Sequence, residues 1–280
     1  MQWWCSAQGL PWSWTWRPYL GVWLMVLLIA AAYWRMYRGR SSGVEGRRLR
    51  IAAACAGIFL LWTALDWPLG TLAAGYLESV HMLQFLLLVM GAAPLLLSGV
   101  PAPAWTALED HRRAVRLLRA LTHPLVAAVM FNLIILVTHL PRSVDAMMYS
   151  QLGSFALDLA WLAGGLWFWW PLLARVPARP RFVPPLQIGY LFVSTISHTG
   201  VAMWLLLAEF PVYRLYELAP PLHWLRPVDD QQLAGGLMLM IGGPVILAAI
   251  LTIFMRWYRA EEAESAALLT AKAAARQGGR

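Results

Sequence analysis

Seven stretches of this chain are long enough to cross a bilayer and nearly free of charge. They run 19–37, 51–69, 78–100, 122–139, 152–173, 184–209 and 230–258. A span of the hydrocarbon core needs about 20 apolar residues in a helix. Lipid offers no partner for an open backbone group, so each stretch is predicted to be helical. The fold class that follows is all-α: a polytopic, seven-transmembrane helix bundle. Only 13% of the 280 residues are charged, against about 25% in a soluble domain. A soluble enzyme, a disordered chain and a disulfide scaffold are excluded. The 17 tryptophans are expected at the membrane–water boundary, where amphipathic rings collect.

The basic residues set an orientation. Eighteen of the 22 fall on one side, in the links after spans one, three and five and at the C-terminal end. Among them are Arg38, Arg40, Arg116, Arg119, Arg179, Arg181, Arg259 and Arg280. Basic residues mark cytoplasmic loops, so the N-terminus is predicted outside and the C-terminus cytoplasmic. The net charge of +8 therefore points to a lipid bilayer and not to nucleic acid. Residues 1–18 read as a Trp-rich periplasmic, interfacial segment, 19–258 as the membrane domain and 259–280 as a cytoplasmic tail. Met1 to Trp16 holds no Arg or Lys, so no cleavable signal peptide is expected. Trp105–Leu121 reads as an amphipathic helix whose arginines rest on headgroups or in solvent. Cys5 and Cys55 fall at opposite faces and cannot pair.

Ionisable groups inside a membrane are costly and mark function by default. Here they share a depth. Asp66, Glu78, His81, His139, Asp158, Asp230 and Gln231 lie toward the outer ends of their spans, with Asp145 just beyond span four. His198 sits about eleven residues, or roughly 16 Å, from the outer end of span six. Imidazole and carboxylate groups converging in a bundle suit a metal ion, whose charge makes their burial tolerable. Met82, Met147, Met148 and Met203 lie at a similar level, and thioether beside imidazole favours copper. Each residue also has a structural reading. His139 caps a helix end, and Asp230 caps the start of its own helix. Asp66 bonds a backbone amide or a neighbouring helix. His198 bonds the hydroxyl of Ser194 or Thr195.

Several motifs follow in order: His81-Met82-Leu83-Gln84-Phe85 and Ala93-Pro94 in span three, His123-Pro124, His139-Leu140-Pro141 and Asp145 around span four, and Phe168-Trp169-Trp170-Pro171 in span five. Then come Pro211-Val212-Tyr213-Arg214-Leu215-Tyr216 and Asp230-Gln231-Gln232. Together they resemble the multi-pass CtaG family of cytochrome c oxidase assembly factors, from about Tyr19 to Tyr258. The resemblance implies a bacterial inner-membrane protein that matures a haem–copper oxidase. It implies copper as cargo, oxidase subunits as partners and a periplasmic copper donor upstream. The family typically carries histidines where this chain has Phe85, Ser154 and Asp158. His198 matches no family histidine.

The predicted metal ligands are His81, His139, Asp158 and His198. Asp66, Glu78, Asp145, Asp230 and Gln231 are expected to orient those ligands or line the way in. Three readings stand side by side: a copper-handling assembly factor, a metal-free scaffold for an oxidase subunit, and a metal transporter. A transporter needs polar groups on both sides of the midplane, and the inner halves here are apolar. No GxSxG, HExxH or CxxCH motif is present, so no enzyme activity is expected.

Overall fold

The computed structural model describes residues 2–38, 46–109, 111–175, 182–222 and 225–278. Arg40, Arg179, Arg181 and Arg280 lie outside them. All regular structure among the described residues is helical. Among the described residues, six helices are long and apolar enough to span: Leu20–Tyr37, Arg47–Leu65, Glu78–Gly99, Gln151–Leu173, Pro184–Leu207 and Pro227–Thr270. Span four is a bent pair, Val115–Leu121 and Pro124–Thr138, with a 61° bend between them. Pro124 forces that bend, because the residue before a proline avoids the α region and His123 is extended at ψ 137°.

Span three is the centre of the bundle. Its buried side chains meet spans two, five and seven, while span one lies outermost against span two. The close approaches use small residues. A Cβ on Gly165 would fall 2.9 Å from the Val89 Cα, and one on Gly99 only 2.7 Å from the Ala54 Cβ. Gly235 likewise abuts the backbone of span six, whereas Gly236 and Gly243 face open space. Small residues therefore serve close packing at some of the glycines and not at others.

Two spans contain a π-helical turn, Leu87–Ala92 in span three and Met238–Gly242 in span seven. Each sits just before a proline, Pro94 and Pro244. A proline removes one amide donor and crowds the carbonyl four residues back, and a wide turn accommodates both. Span six is interrupted at Thr195. Asn132 of span four stitches the break: its Oδ1 accepts from the Ser197 amide at 2.9 Å and its Nδ2 donates to the Val193 carbonyl at 3.2 Å. A broken helix survives in lipid only when its freed groups find such partners.

Two expectations are corrected. Trp105–Leu121 is two helices, Ala102–Glu109 and Arg112–Leu121. The helix of the last span runs on to Gly278 and includes the helical extension expected over Glu261–Arg276. The tryptophans are not only boundary residues. Trp4, Trp105, Trp161 and Trp169 are buried, and the Trp169 Nε1 donates to the Val89 carbonyl at 2.9 Å.

Candidate functional site

Two imidazoles flank one phenyl ring in the middle of the bundle, and a third packs on the tryptophan beside it. The Phe85 ring centre lies 5.0 Å from that of His139, 5.9 Å from His198 and 5.3 Å from Trp161. His81 packs 4.7 Å from Trp161 and 5.7 Å from Tyr216. All three histidines are buried.

Their nitrogens are not satisfied. Both ring nitrogens of His81, and Nε2 of His139 and His198, lack a hydrogen-bond partner. Buried polar atoms are paired in the great majority of cases, so each of these three rings is an exception. His139 is the most informative. Its Nδ1 lies 2.8 Å from the Ile135 carbonyl, which can only accept. In the neutral ring Nδ1 therefore carries the proton, and Nε2 turns a free lone pair to the pocket. This is how metal-binding imidazoles are usually oriented.

Span geometry explains the convergence. His81 and Gln84 are three residues apart on span three and share a face. His198 opens the second half of span six, where the break at Thr195 redirects the helix. The Ser194–Thr195 reading of His198 is overturned: Ser194 Oγ has no partner, and Thr195 Oγ1 donates to the Leu191 carbonyl at 3.0 Å. A Cβ on Gly242 would fall 2.6 Å from the His198 ring, so the π-turn of span seven presses directly on it.

The carboxylates bond to groups on the elements around these histidines. Asp158 accepts from Trp4 Nε1 at 2.8 Å and from Gln84 Nε2 at 3.1 Å. Asp230 does not cap its own helix, whose N-cap is Arg226. It caps span three instead, accepting from the Glu78 amide at 2.6 Å, the Ser79 amide at 3.3 Å and the Ser79 hydroxyl. Glu78 is buried with one carboxyl oxygen unpartnered. Asp66 accepts from Trp62 Nε1 at 3.0 Å and the Tyr19 amide at 3.4 Å, tying span two to span one. Asp145 accepts from the Leu215 amide at 2.9 Å, and Gln231 from the Val212 amide at 2.6 Å. Both hold the loop between spans six and seven over the pocket. Of the methionines, Met82 and Met148 are buried, whereas Met203 is 40% exposed and lies on the bundle surface.

That loop supplies residues the sequence reading did not assign to the site. Tyr213 donates to the His139 carbonyl at 2.9 Å and Tyr216 to the Ala73 carbonyl at 2.7 Å. Burial, with the Glu78 charge added, pushes both phenols well above their ordinary range, so they stay protonated donors. In the sequence both stand only within the Pro211–Tyr216 motif.

The N-terminal segment is the other roof. Part of it is interfacial, with Trp14 72% exposed. Its start enters the bundle: Trp4 reaches Asp158, the Gln151 Oε1 accepts from the Trp3 amide at 2.7 Å, and the Ala7 amide donates to the Met148 carbonyl at 2.9 Å. Cys5 is buried beside them and donates to the Leu65 carbonyl at 3.1 Å. Burial, reinforced by Asp158, holds its thiol well above the usual range and so unreactive. Cys55, by contrast, is exposed. In a Cys55→Ser background, Cys5 is expected to resist a water-soluble maleimide. Trp4→Ala is expected to speed its labelling at least tenfold, because the opened fraction rises by that factor for every 1.4 kcal/mol lost. Equal labelling rates would show that Trp4 does not hold the segment down.

The fold and the site together define a class: a multi-pass membrane protein with three buried, incompletely bonded histidines inside its bundle. Residues 27–260 match the family model described as cytochrome c oxidase caa3 assembly factor, and the chain belongs to this Caa3_CtaG family. It is also similar to an uncharacterized protein of Mycobacterium bovis and one of Mycobacterium tuberculosis. Each is 24% identical over 266 residues, covering 86% of this chain. The chain spans only 40% of the length of these relatives. No solved structure matches the chain.

Proposed function

We propose that this protein is a non-catalytic assembly factor for a haem–copper terminal oxidase of a bacterial inner membrane. It receives copper(I) from a periplasmic donor and passes it to an oxidase subunit through the His81, His139 and His198 pocket. The arginine-rich end faces the cytoplasm. The observation that carries this reading is the oriented lone pair of His139 beside two further unpartnered imidazoles. Copper is the cargo here. Imidazole suits it, and copper(I) accepts two or three ligands.

The ligand set is not a finished chelate. Among the described residues, no three His, Cys, Asp or Glu side chains stand close enough to share one ion. Phe85 keeps His139 and His198 apart. A carrier that must release its cargo is served by such an open set. The same observation favours a second reading, in which the bundle is a metal-free scaffold for a nascent oxidase subunit.

Metal content after copper(I) loading of the detergent-purified protein separates the two. Wild type is expected to retain about one copper per chain, and His139→Ala and His81→Ala to retain far less, as loss of an imidazole ligand requires. No copper in any of the three would support the scaffold.

A further inference from the structure

A second site lies at the arginine-rich end, away from the histidine pocket. A groove of about 620 Å³ runs between Pro124–Thr138 and Pro184–Ser194. That volume falls within the range of small-molecule sites, about 300–1,000 Å³. Its walls are hydrocarbon, from Leu125, Ala128, Leu186 and Val193. Leu125 and Leu186 are exposed, so the groove opens sideways onto lipid and not into the bundle. At its mouth the lining changes to Arg119 and His123. Arg119 lies in the last turn of the helix Arg112–Leu121, which also carries Arg113 and Arg116 and meets Pro124–Thr138 at the 61° bend.

A long apolar channel ending at a basic mouth fits one chemistry: an acyl chain attached to an anionic head. We propose that this groove is a binding site for an anionic phospholipid of the leaflet at the arginine-rich end. One acyl chain lies between spans four and six, and the phosphate rests at Arg119 and His123. A zwitterionic lipid has the same tail but a balancing cation, so the mouth discriminates by charge. A free phosphate ion has the charge but no tail, so it leaves the apolar walls unfilled.

Gly189 makes the site testable. It lines the groove, and a Cβ built there meets nothing within 4 Å. Gly189→Leu therefore sends a side chain into the groove from a position whose Cβ meets no neighbour, and in a helix it raises the local propensity. The measurement is native mass spectrometry of the full chain in neutral detergent, with dioleoyl phosphatidylglycerol or dioleoyl phosphatidylcholine added. Wild type is expected to retain phosphatidylglycerol roughly fivefold better, the worth of one surface cation. Gly189→Leu is expected to lose the retained lipid. Arg119→Gln is expected to keep a lipid but lose the preference, and it remains a valid test if Gly189→Leu fails to accumulate. Equal retention of the two lipids by wild type would overturn the proposal. So would undiminished binding to Gly189→Leu, or displacement of the lipid by millimolar inorganic phosphate.

Discussion

Asp230→Ala is expected to lower stability by about 3 kcal/mol or more, since each buried donor left unpaired costs about 1–3 kcal/mol. Three donors converge on this one carboxylate: the amides of Glu78 and Ser79 and the Ser79 hydroxyl. The two amides belong to the first turn of span three, where no intrahelical acceptor exists. Alanine leaves them facing a buried space. For a chain of this size the unfolding midpoint in mild detergent is expected to fall by roughly 6–12 °C. Asp230→Asn keeps one acceptor oxygen and is expected to fall between. A shift under about 2 °C for the alanine variant would show that the cap is dispensable. The histidine pocket follows span three, so copper retention is expected to drop in the same variant.

Phe85→His is expected to reverse sign with copper. Without metal the substitution loses the contacts of a fully buried ring, at a cost of about 1–3 kcal/mol. With copper(I) the new imidazole stands between His139 and His198, where the phenyl ring now touches both. It brings separated ligands within reach of one ion. Affinity is expected to rise on the order of a hundredfold, about 2.7 kcal/mol, read by competition against a cuprous chelator. The variant is then expected to melt below wild type when metal-free and at or above it when loaded. An unchanged affinity would mean that Phe85 is not what keeps the site open. An increase without improved oxidase assembly would fit a carrier that has become a trap.

The spans were legible because lipid imposes one strong rule, and the apolar runs obey it. The shared depth of His81 and His139 was legible for the same reason. What escaped were interactions set by distant partners. Asp230 sits where a local N-cap is expected, yet its oxygens go to a helix 151 residues away. Asp158 has partners on Gln84 and on Trp4, the latter in a segment that reads as interfacial by composition alone. The inward aim of His198 depends on a break at Thr195 that Asn132 repairs from another span. The π-turns before Pro94 and Pro244 also went unread, although a proline inside a span is the signal that could have found them.

The trans cap also has a consequence in time. Asp230 is made 151 residues after the Ser79 it bonds, and Asp158 is made 154 residues after Trp4. At about 5–20 residues per second, span three waits roughly 8–30 s for its acceptor. During that interval the early spans are inserted, yet the histidines have no completed walls. The walls around the histidines therefore form well after span three itself. A ribosome stalled before span seven leaves span three inserted with its first turn uncapped. Any quality-control protease that senses an uncapped span three would read, in effect, whether translation had reached span seven.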